Sequence, residues 1–121
     1  MIEQIRGPAI VPRGSQMVNF FNRFFGPKGP PLHELLADGA IIIDVRSVGE
    51  FRRGHAKGSR NIPLSAISSK VNGLKKKDQV IITCCASGMR SGKAAKMLRQ
   101  AGLDAHNGGA WQTVEKARRS N

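Results

Sequence analysis

At 121 residues the chain has room for one domain with a hydrophobic core, and its 40% apolar content is enough to fill that core, so a two-domain enzyme is excluded. Twenty Lys and Arg against eight Asp and Glu give a formal net charge of +12, which favours anionic partners without choosing among nucleic acid, membrane and small anions. Five Phe, one Trp and no Tyr are thin material for base-stacking surfaces, so no nucleic-acid partner is expected.

Residues 10–15, Ile-Val-Pro-Arg-Gly-Ser, look like a thrombin-type cleavage linker, so 1–16 reads as a cloning remnant and Met17 as the natural start. Residues 17–30 form a Phe-rich arm in which Phe20, Phe21, Phe24 and Phe25 fit one side of a short helix ended by Gly26-Pro27. The arm either packs its aromatics onto the domain or serves as an interfacial or partner-binding segment. The domain proper is expected over 31–121. Pro30-Pro31 open a short helix with Leu32, Leu35 and Leu36 on one face, stopped at Gly39. Residues 40–45, with Ile41, Ile42 and Ile43, are the kind of run that forms a strand covered on both faces. Ser47 and Glu50 have capping-box spacing, so a helical turn follows at once.

Pro63 limits Asn61 to Leu64 to a short or edge strand. A helix capped by Ser65 is expected to Val71, with a turn at Lys75-Lys76-Lys77-Asp78. Val80 to Cys84 is a second buried strand. The best helix runs from Ser91 to Gln100, with Ala94, Met97, Leu98 and Ala101 on one face and Gly102 at its end. A strand at Leu103 to His106, a turn at Gly108-Gly109 and a helix from Trp111 to Ala117 complete the chain. Buried strands alternating with helices imply an α/β domain with a mainly parallel sheet covered on both faces.

Ligands in such folds sit beyond the carboxyl ends of the strands, which singles out Cys85-Ala86-Ser87-Gly88-Met89-Arg90 between the second strand and the best helix. Small residues let this loop curl until its N–H groups converge, and the helix adds its positive end. The result is an anion cradle with a thiol at its mouth. The field and Arg90 favour thiolate over thiol, lowering the cysteine pKa from about 8.5 and giving a nucleophile that needs no histidine base. His33, His55 and His106 are too scattered for a metal site, and Trp111 reads as core. The runs at Lys75 to Lys77 and at Lys116, Arg118 and Arg119 read as solvated faces that could also dock an acidic acceptor protein.

Several of these residues together resemble the rhodanese family. Asp44-Val45-Arg46, Glu50-Phe51, Gly54-His55, Gly58 and Asn61-Ile62-Pro63-Leu64 are similar to its leading pattern. The segment Cys85 to Ser91 is similar to its active-site loop, and Gly108-Gly109-Ala110-Trp111 to its closing segment. The resemblance implies a three-layer α/β/α domain with a sheet of about five strands. It also implies a thiosulfate sulfurtransferase with neither cofactor nor metal. Cys85 would take the sulfane sulfur of thiosulfate, or of a protein persulfide, and hand it to cyanide, a thiol or an acceptor protein. Ala86, Ser87, Gly88, Met89 and Arg90 would hold the anion by their backbone amides, with the Arg90 fork on the sulfonate oxygens. Arg46 either adds to the anion-attracting field or forms an ordinary ion pair, and Asp44 and Ser91 give structural support.

Two departures stand out. Many family members carry Arg directly after the nucleophile, where this chain has Ala86, so a positive charge near the donor is missing unless Lys93 substitutes for it. Counted from Cys84, the segment reads Cys-x5-Arg-Ser, the spacing of phosphatases and arsenate reductases, whereas Cys85 gives the tighter sulfurtransferase loop. The alternatives are an oxyanion enzyme using Cys84 and a non-catalytic sulfur carrier or partner-binding module. Cys84 is otherwise a small core residue or a second, resolving thiol. The paired cysteines cannot staple a loop, no stretch has the length of a membrane-spanning helix, and no secretory signal precedes the domain, so a cytoplasmic location is expected.

Overall fold

A computed structural model describes residues 29–121. The cloning remnant and the four phenylalanines of the arm lie outside the described residues. Residues Leu32–Asn121 form a compact unit by themselves.

Helix α1 (Leu32–Ala37) precedes strand β1 (Ile41–Asp44), helix α2 (Val48–Arg52) and strand β2 (Arg60–Asn61). A 3-10 turn at Leu64–Ala66 leads into α3 (Ile67–Lys77), then β3 (Ile81–Cys85), α4 (Met89–Gln100), β4 (Ala105–Ala110) and α5 (Trp111–Arg119). The strands pair in the order β2-β1-β3-β4, all parallel, four among the described residues. Their β-branched runs explain the sheet's place at the centre. Ile43, Val45, Ile81 and Cys85 face one layer with Ile67 and Leu74 of α3 and Ala94, Ala95 and Leu98 of α4. Ile42, Ile82 and Cys84 face the other with Val114 of α5, against which Leu32, Leu35, Leu36 and Trp111 pack. This is the expected three-layer α/β/α arrangement.

Of the elements whose extent differs from the sequence reading, three do so for a plain physical reason. The helix expected from Ser65 starts at Ile67 and runs through the lysine run, because Ile67, Val71 and Leu74 share one apolar face. Lys75, Lys76 and Lys77 then lie in its last turn, where the helix dipole favours cations, and Asp78 closes it at φ +51°. Pro63 stays outside β2, although Ile62 and Leu64 still donate to the carbonyls of Asp44 and Val45, both at 3.0 Å. Strand β4 continues through Gly108-Gly109 instead of turning there. A Cβ on Gly108 would lie 2.6 Å from Val114 Cγ2, 2.7 Å from Ile82 Cγ2 and 2.9 Å from the Thr83 carbonyl, so only glycine lets the strand pass this close.

Candidate active site

Strand β3 ends at the C-terminal edge of the sheet, and its two-residue period decides which cysteine is usable. Cys84 points into the α1/α5 layer and Cys85 into the α3/α4 layer. Burial, reinforced by the Asp44 carboxylate, pushes the Cys84 thiol up from 9.0 to about 12. It is a buried, un-ionised core thiol. Cys85 is also fully buried, but the chain leaves β3 there and curls back over its sulfur.

The curl is tight because only three residues separate Cys85 from α4, and Gly88 takes φ +101° to make the turn. Cys85 Sγ accepts the Gly88 N–H at 3.0 Å and the Ser91 N–H at 3.4 Å, and lies 3.3 Å from Ser91 Oγ. Burial alone would raise this thiol. The Ser91 hydroxyl and the N–H groups of Ser91, Ser87 and Gly88 outweigh it and bring Cys85 down from 9.0 to about 7. Helix α4 begins at Met89, two residues before the expected Ser91, so its N-terminal end lies inside the loop itself. Ala86 and Ser87 are exposed and the Met89 side chain is 82% exposed, which leaves the backbone as their contribution. Thr83 Oγ1 donates to the Ser91 carbonyl at 2.8 Å and ties the loop's exit to β3.

The arginines are placed differently from one another. Arg90 Nη1 and Nη2 reach Glu50 Oε1 and Oε2 at 2.8 and 3.0 Å, a fork on a carboxylate from α2. Glu50 closes the capping box with Ser47 at the same time, and the Arg90 hydrogen bond holds its carboxyl down at about 2. The fork expected on a sulfonate is therefore engaged by the protein. The capping box and the Glu50-Phe51 element of the family pattern both single out Glu50 in the sequence, but neither discloses its pairing with Arg90. Arg46, a candidate for the anion field, is 5% exposed. It donates to Asp44 Oδ1 at 2.9 Å and Oδ2 at 2.7 Å and to the carbonyls of Glu50 and Gly54, and lies 5.2 Å above the Trp111 ring. The structure thus puts Arg46 and Asp44 together on the Cys84 side of the sheet, where they brace α2, and not beside the Cys85 sulfur. The low dielectric there favours a closed ion pair over a free guanidinium facing the loop. Lys93 is exposed on α4.

A residue absent from the sequence reading completes the site. Asn107 Oδ1 accepts the Ser91 Oγ–H at 2.7 Å and the Gly109 N–H at 3.0 Å, while its Nδ2 donates to the Gly88 carbonyl at 3.0 Å. One amide so ties β4 to the loop. Its only sequence signal is a polar residue beside Gly-Gly. His55 bonds the Phe51 carbonyl at 2.8 Å and stacks on the Phe51 ring, as a turn residue. Among the described residues no group of His, Cys, Asp and Glu could hold a metal ion, and no helix is long and apolar enough to cross a membrane.

The chain is similar to known proteins in sequence and in fold. The chain is 43% identical over 63 residues to the uncharacterized protein YqhL of Bacillus subtilis, covering 52% of this chain and 49% of that one. It is 36% identical over 62 residues to the putative sulfur carrier protein YrkF of the same organism, covering 51% and 33%. The chain thus spans about half the length, or less, of these curated relatives. Among solved structures, the human single-domain sulfurtransferase TSTD1 superposes with a TM-score of 0.59 at 28% identity, covering 70% of this chain and 89% of that one. Residues 30–110 match the family model of the rhodanese-like domain, and the chain belongs to that family.

Proposed function

We propose that this protein is a sulfurtransferase that carries sulfane sulfur on Cys85. The observation that carries the reading is a buried sulfur atom that accepts the Gly88 and Ser91 N–H groups, with its thiol drawn down to about 7 against the effect of burial. The Cys85 thiolate attacks the outer sulfur of thiosulfate, an S–S bond forms to Sγ, and the bond to the sulfonate sulfur breaks as sulfite leaves with the electron pair. The anionic persulfide then gives its outer sulfur to cyanide, forming thiocyanate and returning the thiolate; a thiol acceptor takes the sulfur in the same way. The loop N–H groups are fixed in the backbone and an anion, thiolate or persulfide, occupies the loop in both states, so these donors need no reorganisation between steps.

Cys84 gives no support to a phosphatase or arsenate reductase reading, since it points into the opposite layer and its thiol is pushed up to about 12. A carrier role, with sulfur received from a protein persulfide, is favoured by a specific observation. The Arg90 fork is closed on Glu50, and residue 86, next to the nucleophile, is the uncharged Ala86, so few free cations greet a sulfonate. The test is thiocyanate formation from thiosulfate and cyanide by wild type, Cys84→Ser and Cys85→Ser. Turnover by the first two and none by the third is expected; equal turnover by all three overturns the assignment. No turnover by wild type, together with sulfur uptake from a persulfide donor, selects the carrier role.

A further inference from the structure

Ser91 lies between two acceptors but owns one hydroxyl proton. Its Oγ is 2.7 Å from Asn107 Oδ1 and 3.3 Å from Cys85 Sγ. The orientation of the Asn107 amide is not arbitrary. The Gly109 N–H can only donate and the Gly88 carbonyl can only accept, so Oδ1 must face Gly109 and Ser91, and Nδ2 must face Gly88. Gly92 leaves room for this amide, since a Cβ there would lie 3.0 Å from Nδ2. The backbone of Ser91 is held by Thr83 Oγ1 on its carbonyl and by its own N–H on Sγ, so what remains free is rotation of the hydroxyl.

That rotation has two settings. Donating to Asn107, Ser91 presents only lone pairs to sulfur, which suits a Cys85 S–H that donates to it and is unfavourable to a thiolate. Donating to sulfur, it stabilises the thiolate and leaves Asn107 Oδ1 with the Gly109 N–H alone. We propose that Asn107 is a positioning residue that competes with the Cys85 sulfur for the Ser91 proton, keeping it while Sγ is uncharged and yielding it when Sγ is a thiolate. The inference rests on Cys85 being the working thiol of the proposed function. In the persulfide the charge moves to the outer sulfur and Sγ becomes disulfide-like, so Asn107 keeps the proton there too. The residue so favours the loaded and protonated forms over the free thiolate.

The other charged and titratable groups on the elements around Cys85 are engaged by partners, exposed or un-ionised. Arg90 is ion-paired with Glu50 of α2, Asp44 of β1 is engaged by Arg46, and Cys84 stays un-ionised at neutral pH. Lys93 and Lys96 of α4 and Lys70 of α3 are exposed, and Arg99 donates to the Ala105 carbonyl. From β4, His106 bonds Asp104, and Asn107 is neutral.

The test is the pH midpoint of Cys85 alkylation by iodoacetamide, read by intact mass, in Asn107→Leu and Asn107→Asp, each with Ser91 present and with Ser91→Ala. Removing the competing acceptor in Asn107→Leu should lower the midpoint by about half a pH unit when Ser91 is present and leave it unchanged in Ser91→Ala. Asn107→Asp, the stronger acceptor, should raise the midpoint more with Ser91 than without it. An unchanged or raised midpoint in Asn107→Leu with a native circular dichroism spectrum overturns the proposal. Should Asn107→Leu unfold, Asn107→Asp decides alone: equal shifts in both backgrounds show a through-space charge effect and overturn it. Alkylation needs no sulfur donor, so failure of the sulfurtransferase reading would show separately, as absence of sulfur uptake with these midpoints intact.

Discussion

Ser91→Ala removes the one side chain that, among the described residues, lies within hydrogen-bond distance of the Cys85 sulfur, while leaving the Gly88 and Ser91 N–H groups in place. In wild type the thiol is brought from 9.0 to about 7, so at pH 7 half of Cys85 is thiolate. A cysteine left at 9.0 would be about 1% ionised there, roughly fifty times less. A hydrogen bond to a charged group contributes about 1.5 kcal/mol, which corresponds to about one pKa unit. The variant should therefore titrate near 8, with about one tenth ionised at pH 7 and alkylation about five times slower than wild type. The assay is the rate of single adduct formation with iodoacetamide from pH 5 to 10 under reducing conditions, a range in which Cys84, pushed up to about 12, stays un-ionised. A wild-type midpoint at or above 8.5, or a Ser91→Ala midpoint equal to wild type, would refute the reasoning that the loop's donors set the state of this sulfur.

Linkage adds a stability prediction. A group whose acidity is increased by folding stabilises the native state above its unfolded pKa and loses that contribution as pH falls through the folded value, here from about 9.0 to about 7. Urea unfolding of wild type, compared with Cys85→Ser, should show wild type gaining about 2 kcal/mol relative to the variant between pH 7 and pH 9; a constant difference would count against it. Gly108→Ala should destabilise by roughly 1–3 kcal/mol in the same assay, since its methyl meets Val114, Ile82 and the Thr83 carbonyl at under 3 Å and the carbonyl cannot rotate away. Unchanged stability would mean that β4 can move off β3. Glu50→Gln keeps the capping box but loosens the hold on Arg90, so the KM for thiosulfate should fall about threefold with little change in melting temperature. An unchanged or higher KM would show that the Arg90 fork does not meet the donor.

What the sequence disclosed followed from local rules. Runs such as Ile41 to Ile43 and Val80 to Ile82 can only be strands buried on both faces, and the small and apolar stripe from Ala94 to Ala101 can only be a helix packed on them. The loop was legible because it lies where β3 must hand over to α4. The extent of α3 was not, since a lysine run resembles a turn until the apolar face from Ile67 to Leu74 is seen to span it. The continuation of β4 through two glycines depends on Ile82 and Val114, which approach from elsewhere in the chain. The same holds for the closure of Arg90 on Glu50, 40 residues away, and for the bond of Ser91 to Asn107, 16 residues away. Such pairings have no period to betray them. The partition of Cys84 and Cys85 is the opposite case, because two neighbours on a strand must face opposite layers and only their surroundings decide which is the nucleophile.

The central claim is that Cys85, and not Cys84, carries sulfur. Intact-protein mass spectrometry of reduced wild type, Cys84→Ser and Cys85→Ser after incubation with thiosulfate, and again after cyanide, tests it most directly. Wild type and Cys84→Ser should each gain one sulfur atom and lose it to cyanide, and Cys85→Ser should gain none. Sulfur retained on Cys85→Ser and absent from Cys84→Ser would contradict the account.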